Sequence, residues 1–142
     1  MSNRQSDQQT ITLQNKISDS TKLSEFFTTF AKTNEISGET FHDLKLVVEE
    51  IFINITSYAY TKEPALQNIT INLSFSSDEI SMTFIDPGVA FDPLKKQPEN
   101  KESNQYSEGN MGLRLITSLT DRQKYHRVNQ SNEFTVTKHY TQ

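Results

Sequence analysis

Cysteine and tryptophan are missing altogether from this 142-residue chain. Without cysteine no disulfide can form and no thiolate can hold a metal, which suits a reducing compartment. Positive charge is also short: 14 Lys and Arg against 18 Asp and Glu leave a net charge of −4. A chain lacking a basic field is a poor non-specific binder of nucleic acid. No apolar run approaches the roughly 20 residues that span a bilayer, and Met1–Lys16 lacks a signal-peptide core. These absences lead us to expect a cytoplasmic protein without a nucleic-acid or membrane partner. Hydrophobic residues make up 33 % and mean hydropathy is −0.66, polar but within globular range. The length predicts a single domain over residues 1–142, with its core at about 10–140. Glycine is scarce as well, at Gly38, Gly88, Gly109 and Gly112. The last three fall in two loops, where backbone must turn at positive φ or approach something closely.

What the chain does have is one long amphipathic stretch, Leu44–Tyr60 (LKLVVEEIFINITSYAY). Leu44, Val47, Val48, Ile51, Ile55 and Tyr58 recur at intervals of three and four, which predicts a helix with one apolar face. Glu50 and Asn54 stand four apart and so project from one strip of it. A carboxylate and a carboxamide one turn apart can act on one ligand. An arbitrary Glu/Asn pair would be read as solvated surface. The bulk of Ile51, Phe52 and Ile53 around this pair does not suit an exposed face.

The remaining elements follow from periodicity. Ile11 and Leu13 alternate with Thr12 and Gln14, a short strand. Ser18-Asp19-Ser20 is placed to cap a helix through about Ala31, with Leu23, Phe26, Phe27 and Phe30 as its buried stripe. Ser37-Gly38 turns the chain, and Thr40 with Asp43 has the form of a capping box. Thr61–Gln67, with Pro64, reads as a connector. Ile69, Ile71, Leu73 and Phe75, then Ile80, Met82 and Phe84, alternate as two strands around a Ser76-Ser77-Asp78-Glu79 turn. Met111–Leu119 carries Met111, Leu115, Ile116 and Leu119 on one helical face. Lys124–Val128 and Glu133–Tyr140 form a closing hairpin over Asn129-Gln130-Ser131-Asn132. The order β-α-α-β-β-loop-α-β-β implies a two-layer α/β sandwich, a mainly antiparallel mixed sheet covered on one face by about three helices.

Two loops hold residues suited to chemistry. In Phe84–Pro93 (FIDPGVAFDP), Asp86 closes a strand, where a carboxylate can accept a hydrogen bond from an exocyclic amine. Gly88 two residues later lets backbone pass close to a flat ring, although Asp, Pro and Gly are also ordinary turn formers. Gly109-Asn110-Met111-Gly112-Leu113 runs directly into a helix, and free N–H groups at a helix start suit phosphates. A lone G-x-x-G is equally an ordinary N-terminal turn. Between the two, Leu94–Asn110 is polar and aperiodic, long enough to be a functional lid.

In combination, helix E-x-x-x-N, strand-D-x-G-x-x-F-D-P, lid and G-x-x-G-L resemble the GHKL (Bergerat-fold) ATPase superfamily. More narrowly they resemble the bacterial anti-sigma factor serine/threonine kinases. The likeness spans roughly Phe41–Tyr140, and Tyr58-Ala59-Tyr60 and Asp121 with Tyr125 share in it. It implies that Asn54 coordinates Mg²⁺ bridging the phosphates of ATP, and that Glu50 is general base toward the hydroxyl being phosphorylated. Glu49, turned about 100° around the helix, is the poorer candidate. Asp86 would read the adenine amino group and Gly88 would lie beneath the ring. Gly109, Asn110, Met111, Gly112 and Leu113 would form the phosphate loop. Residues from about 93 to 110 would be the ATP lid; its Lys95, Lys96 and Lys101 could approach phosphates, although plain solubility accounts for them better. Ala90 and Asn110 depart from the pattern, each standing where relatives often have glycine, and Asn tolerates left-handed backbone.

The implied activity is transfer of the ATP γ-phosphate to a serine or threonine of an anti-anti-sigma (STAS-domain) protein. A sigma factor would be a second partner and a homodimer the assembly. A rival expectation is a non-catalytic or weakly catalytic module that sequesters such a regulator, with nucleotide ordering only its lid. A third is an ATPase fragment related to histidine kinases, whose phospho-acceptor motif His42-Asp43-Leu44-Lys45 resembles. The proline expected two residues after Lys45 is absent, and His42 shares a helix with Asn54, so His42 reads as an ordinary residue near a helix start. His126 and His139 have no carboxylate or cysteine constellation that would hold a metal.

Overall fold

Alternating apolar side chains need a covered face, and two amphipathic helices supply most of the cover. The computed structural model describes residues 6–59, 67–94 and 108–141, with side chains over 6–57, 67–94 and 113–141. Their elements are β1 (Asp7–Gln14), α1 (Ser20–Thr33), α2 (Gly38–Asn54), β2 (Asn68–Ser76), β3 (Glu79–Asp86), α3 (Glu108–Leu119), β4 (Arg122–Val128) and β5 (Ser131–His139). The strands form one sheet in the order β1-β2-β3-β5-β4, with β3 at its centre. Every pairing is antiparallel, so the sheet expected to be mainly antiparallel is so throughout the described residues.

Period two decides what each face carries. Ile69, Ile71, Leu73 and Phe75 of β2, Ile80, Met82 and Phe84 of β3, and Phe134 and Val136 of β5 are buried in one cluster. Leu23, Phe27 and Phe30 of α1, Leu44, Val47, Val48 and Ile51 of α2, and Ile116 of α3 close over them. α2 packs against both α1 and α3 and so lies in the middle of the helix layer. The opposite face of the sheet is polar; across it the Thr83 and Thr135 hydroxyls hydrogen-bond at 2.9 Å. This is the two-layer sandwich that the element order implies.

Local chemistry moved several boundaries. Both hairpins turn on two residues rather than four, Ser77-Asp78 (φ 53 and 62) and Asn129-Gln130 (φ 49 and 65). Two successive positive φ angles match the twist of the flanking strands. Ser76 therefore pairs with Glu79, and Ser131 and Asn132 belong to β5 rather than to a turn. α2 starts at Gly38, whose φ of +66 suits glycine, after Ser37 as N-cap without a side-chain bond. Thr40 and Asp43 lie inside the helix that begins before them, so the expected capping box does not cap it. At its far end α2 passes into a π-helical turn over Ile55–Ala59. α3 begins at Glu108, which puts Gly109 and Gly112 within its first turns rather than in a preceding loop.

Candidate functional site

The sheet register builds the site. Asp86 ends β3 directly opposite Asn132 of β5, and Asn132 stands opposite Arg127 of β4. Phe84, Phe134 and Tyr125 form the neighbouring row in the same way. Asp86, Asn132 and Arg127 thus share the parity of the core but lie one step beyond it. There the apolar row gives way to a polar one on the face that carries the helices.

Asp86 is 2 % exposed. Its Oδ1 accepts hydrogen bonds from the Gly88 N–H (2.9 Å) and from Asn132 Nδ2 (3.1 Å). Its Oδ2 accepts none from the described residues. Burial pushes the Asp86 carboxyl above its ordinary 3.8, opposed in turn by Asn132, by the Gly88 amide and by the Arg127 charge. A buried carboxylate with one oxygen engaged and the other open has acceptor capacity left for a ligand. Gly88 is buried and takes no positive φ, so no left-handed turn requires glycine there.

Sequence reasoning does not single out Asn132 and Arg127. Asn132, 3 % exposed, donates through Nδ2 to the Val89 carbonyl (2.8 Å) besides Asp86. Its Oδ1 accepts from the Phe91 N–H (3.2 Å), the Tyr125 hydroxyl (2.5 Å) and Arg127 Nη1 (3.1 Å). Arg127 Nη1 also reaches the Gly88 carbonyl at 2.7 Å. A signal for Asn132 exists: it stands two residues before Phe134 and four before Val136, a polar residue on core parity. Asp92 follows, its Oδ1 accepting the Leu94 N–H at 2.8 Å. Burial also raises the Tyr125 hydroxyl above its ordinary 10.0. Asp121 takes a structural part, its Oδ2 accepting the His139 N–H at 2.6 Å.

The second group of sequence-predicted site residues lies on α2. Asn54 is that helix's last residue, only 7 % exposed, and its carboxamide makes no hydrogen bond to a described residue. A π turn directly after it widens the backbone where a regular helix would continue, a feature frequent at functional sites. Glu50, one turn earlier and half-buried, shares its strip. Glu49 turns away to line a shallow pocket of about 280 Å³ with Ser20, Thr21, Ser24 and Ile53, between α1 and α2. The first turns of α3 hold Gly109, Asn110, Met111 and Gly112, followed by the half-buried Leu113, and α3 packs against α2. The structure therefore brings Asp86 to Gly88 and α3 to α2, and no hydrogen bond among the described residues joins Asn54 to Asp86. Lid lysines Lys95, Lys96 and Lys101, and Tyr60 with the connector as far as Leu66, lie outside the described residues.

The described residues thus form a two-layer α/β sandwich with a buried carboxylate closing its central strand and a buried carboxamide closing α2. The chain is a member of the histidine kinase-like ATPase domain family, whose sequence model matches residues 13–138. A comparison with curated proteins found no match. Family membership brings kinase- or ATPase-type chemistry in general. No helix among the described residues is long and apolar enough to cross a membrane.

Proposed function

We propose that this protein binds Mg-ATP and transfers the γ-phosphoryl group to a serine or threonine of a small regulatory partner, an anti-anti-sigma (STAS-domain) protein, and that it acts as an anti-sigma factor. The observation that carries this reading is a pair of buried polar groups left with spare hydrogen-bonding capacity, Asp86 Oδ2 and the Asn54 carboxamide. An unsatisfied buried polar group costs about 1–3 kcal/mol, and a ligand that satisfies it offsets that cost. An open carboxylate oxygen suits the exocyclic amine of adenine. A carboxamide oxygen suits a hard divalent cation, and one such donor leaves the remaining ligands to phosphates and water. When bound, Mg²⁺ neutralises charge on the phosphates.

Glu50 accepts the proton of the attacking hydroxyl. The serine or threonine oxygen forms the new P–O bond as the bond from the γ-phosphorus to the bridging oxygen breaks, and ADP leaves. Such transfers rest on positioning and electrostatics more than on covalent work by the protein. N–H groups in the first turn of α3 are free of intrahelical partners and suit the phosphates.

The test mixes the protein with γ-labelled ATP, magnesium and a STAS-domain protein. Label on a serine or threonine of the partner supports the kinase. Tight nucleotide and partner binding without label would make the protein a sequestering module. Absence of any ATP-dependent rise in melting temperature would end the nucleotide reading, since a ligand of the native state must raise it.

A further inference from the structure

We infer that Asn132 and Arg127 are positioning residues for base selection, a clamp that fixes Asp86 and the loop after β3 so that Asp86 meets the base purely as an acceptor. The inference rests on the ATP-binding reading above.

Hydrogen-bond accounting carries it. Both Nδ2 protons of Asn132 are spent on acceptors, Asp86 Oδ1 and the Val89 carbonyl. Its Oδ1 faces donors only, from Phe91, Tyr125 and Arg127. Flipping the amide would set oxygen against oxygen twice and nitrogen against the N–H donors of Phe91 and Arg127, so the carboxamide has one orientation. One buried side chain therefore ties the carboxylate of Asp86 to two points of the following loop. Arg127 adds a third by reaching from the edge strand to the Gly88 carbonyl. The loop is held by side chains of β4 and β5 as well as by its own turn.

The consequence is chemical. With Oδ1 occupied by two donors, the remaining acceptor of Asp86 is Oδ2. An acceptor fixed in place favours a purine bearing an exocyclic amine over one bearing a carbonyl at the same carbon, because the second would oppose oxygen to oxygen. Loosening the clamp lets Asp86 turn or take up a proton, so ATP binding falls while inosine triphosphate binding changes little.

The experiment measures dissociation constants for ATP and for inosine triphosphate. Variants are Asn132→Ala, Arg127→Ala, Asp86→Asn and the double variant Asp86→Asn/Asn132→Ala. Each single clamp variant is expected to weaken ATP binding by about tenfold or more and inosine triphosphate by less than about threefold. In the Asp86→Asn background, Asn132→Ala adds less than about threefold, because its effect runs through that carboxylate. The Arg127 side chain lies on an exposed edge residue, so Arg127→Ala keeps the fold and remains informative even if Asn132→Ala unfolds. Equal losses for both nucleotides, additive losses in the double variant, or unchanged ATP affinity would overturn the clamp. A wild-type protein that binds neither nucleotide would overturn the proposed function and the clamp with it.

Discussion

Asn132 and Asn54 are both buried asparagines, 3 % and 7 % exposed, and the protein treats them in opposite ways. Asn132 spends every donor and acceptor it has on its neighbours. Asn54 makes no hydrogen bond to any described side chain or backbone through its carboxamide. A buried amide held on all sides specifies a shape, whereas one left unsatisfied is tolerated only where something else meets it. On the ATP-binding reading proposed above, the base end of the site is built before the ligand arrives, and the phosphate end is completed by it.

The sharpest way to break that contrast is to remove groups on the α2 side. Glu50→Gln is expected to slow phosphoryl transfer by about 10²–10⁴-fold, the range typical of a general base, while ATP affinity stays within about threefold. Unchanged turnover would remove Glu50 from its role. Asn54→Ala should weaken Mg-ATP binding by about tenfold or more yet cost less than about 1 kcal/mol of stability, since no hydrogen bond to a described residue is lost. A thermal melt of Asn54→Ala that falls as far as that of Asn132→Ala would show that the two amides are not opposites after all.

The next effect is smaller and depends on pH. Asp86 has its folded carboxyl raised above 3.8, chiefly by burial. The folded state therefore holds that proton more tightly than the unfolded chain does. The stability this contributes is fully present below about pH 3.8 and is lost as pH rises through the folded value. Once ionised, the buried carboxylate is a liability to the fold. Asp86→Asn keeps an oxygen for the Gly88 and Asn132 donors without the charge. Melting curves should show the variant gaining on the wild type as pH rises from about 3.8 through the folded value, while it loses ATP affinity. A gap that stays flat with pH would mean that Asp86 is not held above its ordinary range.

How much of this is visible in the sequence depends on the residue. Strict alternation at Ile69–Phe75 and Ile80–Phe84 announces both strands, because a half-buried strand can carry no other pattern. The three- and four-residue spacing of Leu44, Val47, Val48 and Ile51 does the same for α2. Asp86 can be picked out because it ends an alternating strand, and Asn54 because it stands one turn from Glu50 beyond the apolar Ile51-Phe52-Ile53. Asn132 escapes, for a reason rooted in pairing. Asparagine next to Asn129-Gln130 reads as turn, and only the two-residue hairpin with positive φ at both centres returns it to the strand. Arg127 gains its contacts solely through register, a long-range property no local window contains. The polar β1 also extends back to Asp7, since an edge strand needs no buried residue at every second position.

The mildest test compares two arginines on one edge strand. Arg127 points to the helix-bearing face and reaches the Gly88 carbonyl. Arg122, at the other end of β4, pairs with Glu79 at 2.8 Å, with side chains 65 % and 39 % exposed. An exposed pair of this kind contributes about 0.2–1 kcal/mol, because water screens it and two long side chains must be ordered to form it. Arg122→Ala should therefore shift the melting temperature by no more than about 3 °C and leave ATP affinity and its preference over inosine triphosphate untouched. Arg127→Ala should do the reverse, moving nucleotide preference with little change in melting. Both variants remove one positive charge from the same strand. If they weakened ATP binding equally, the strand would be acting through its general positive field; if only Arg127 matters, the effect belongs to its contacts with Gly88 and Asn132.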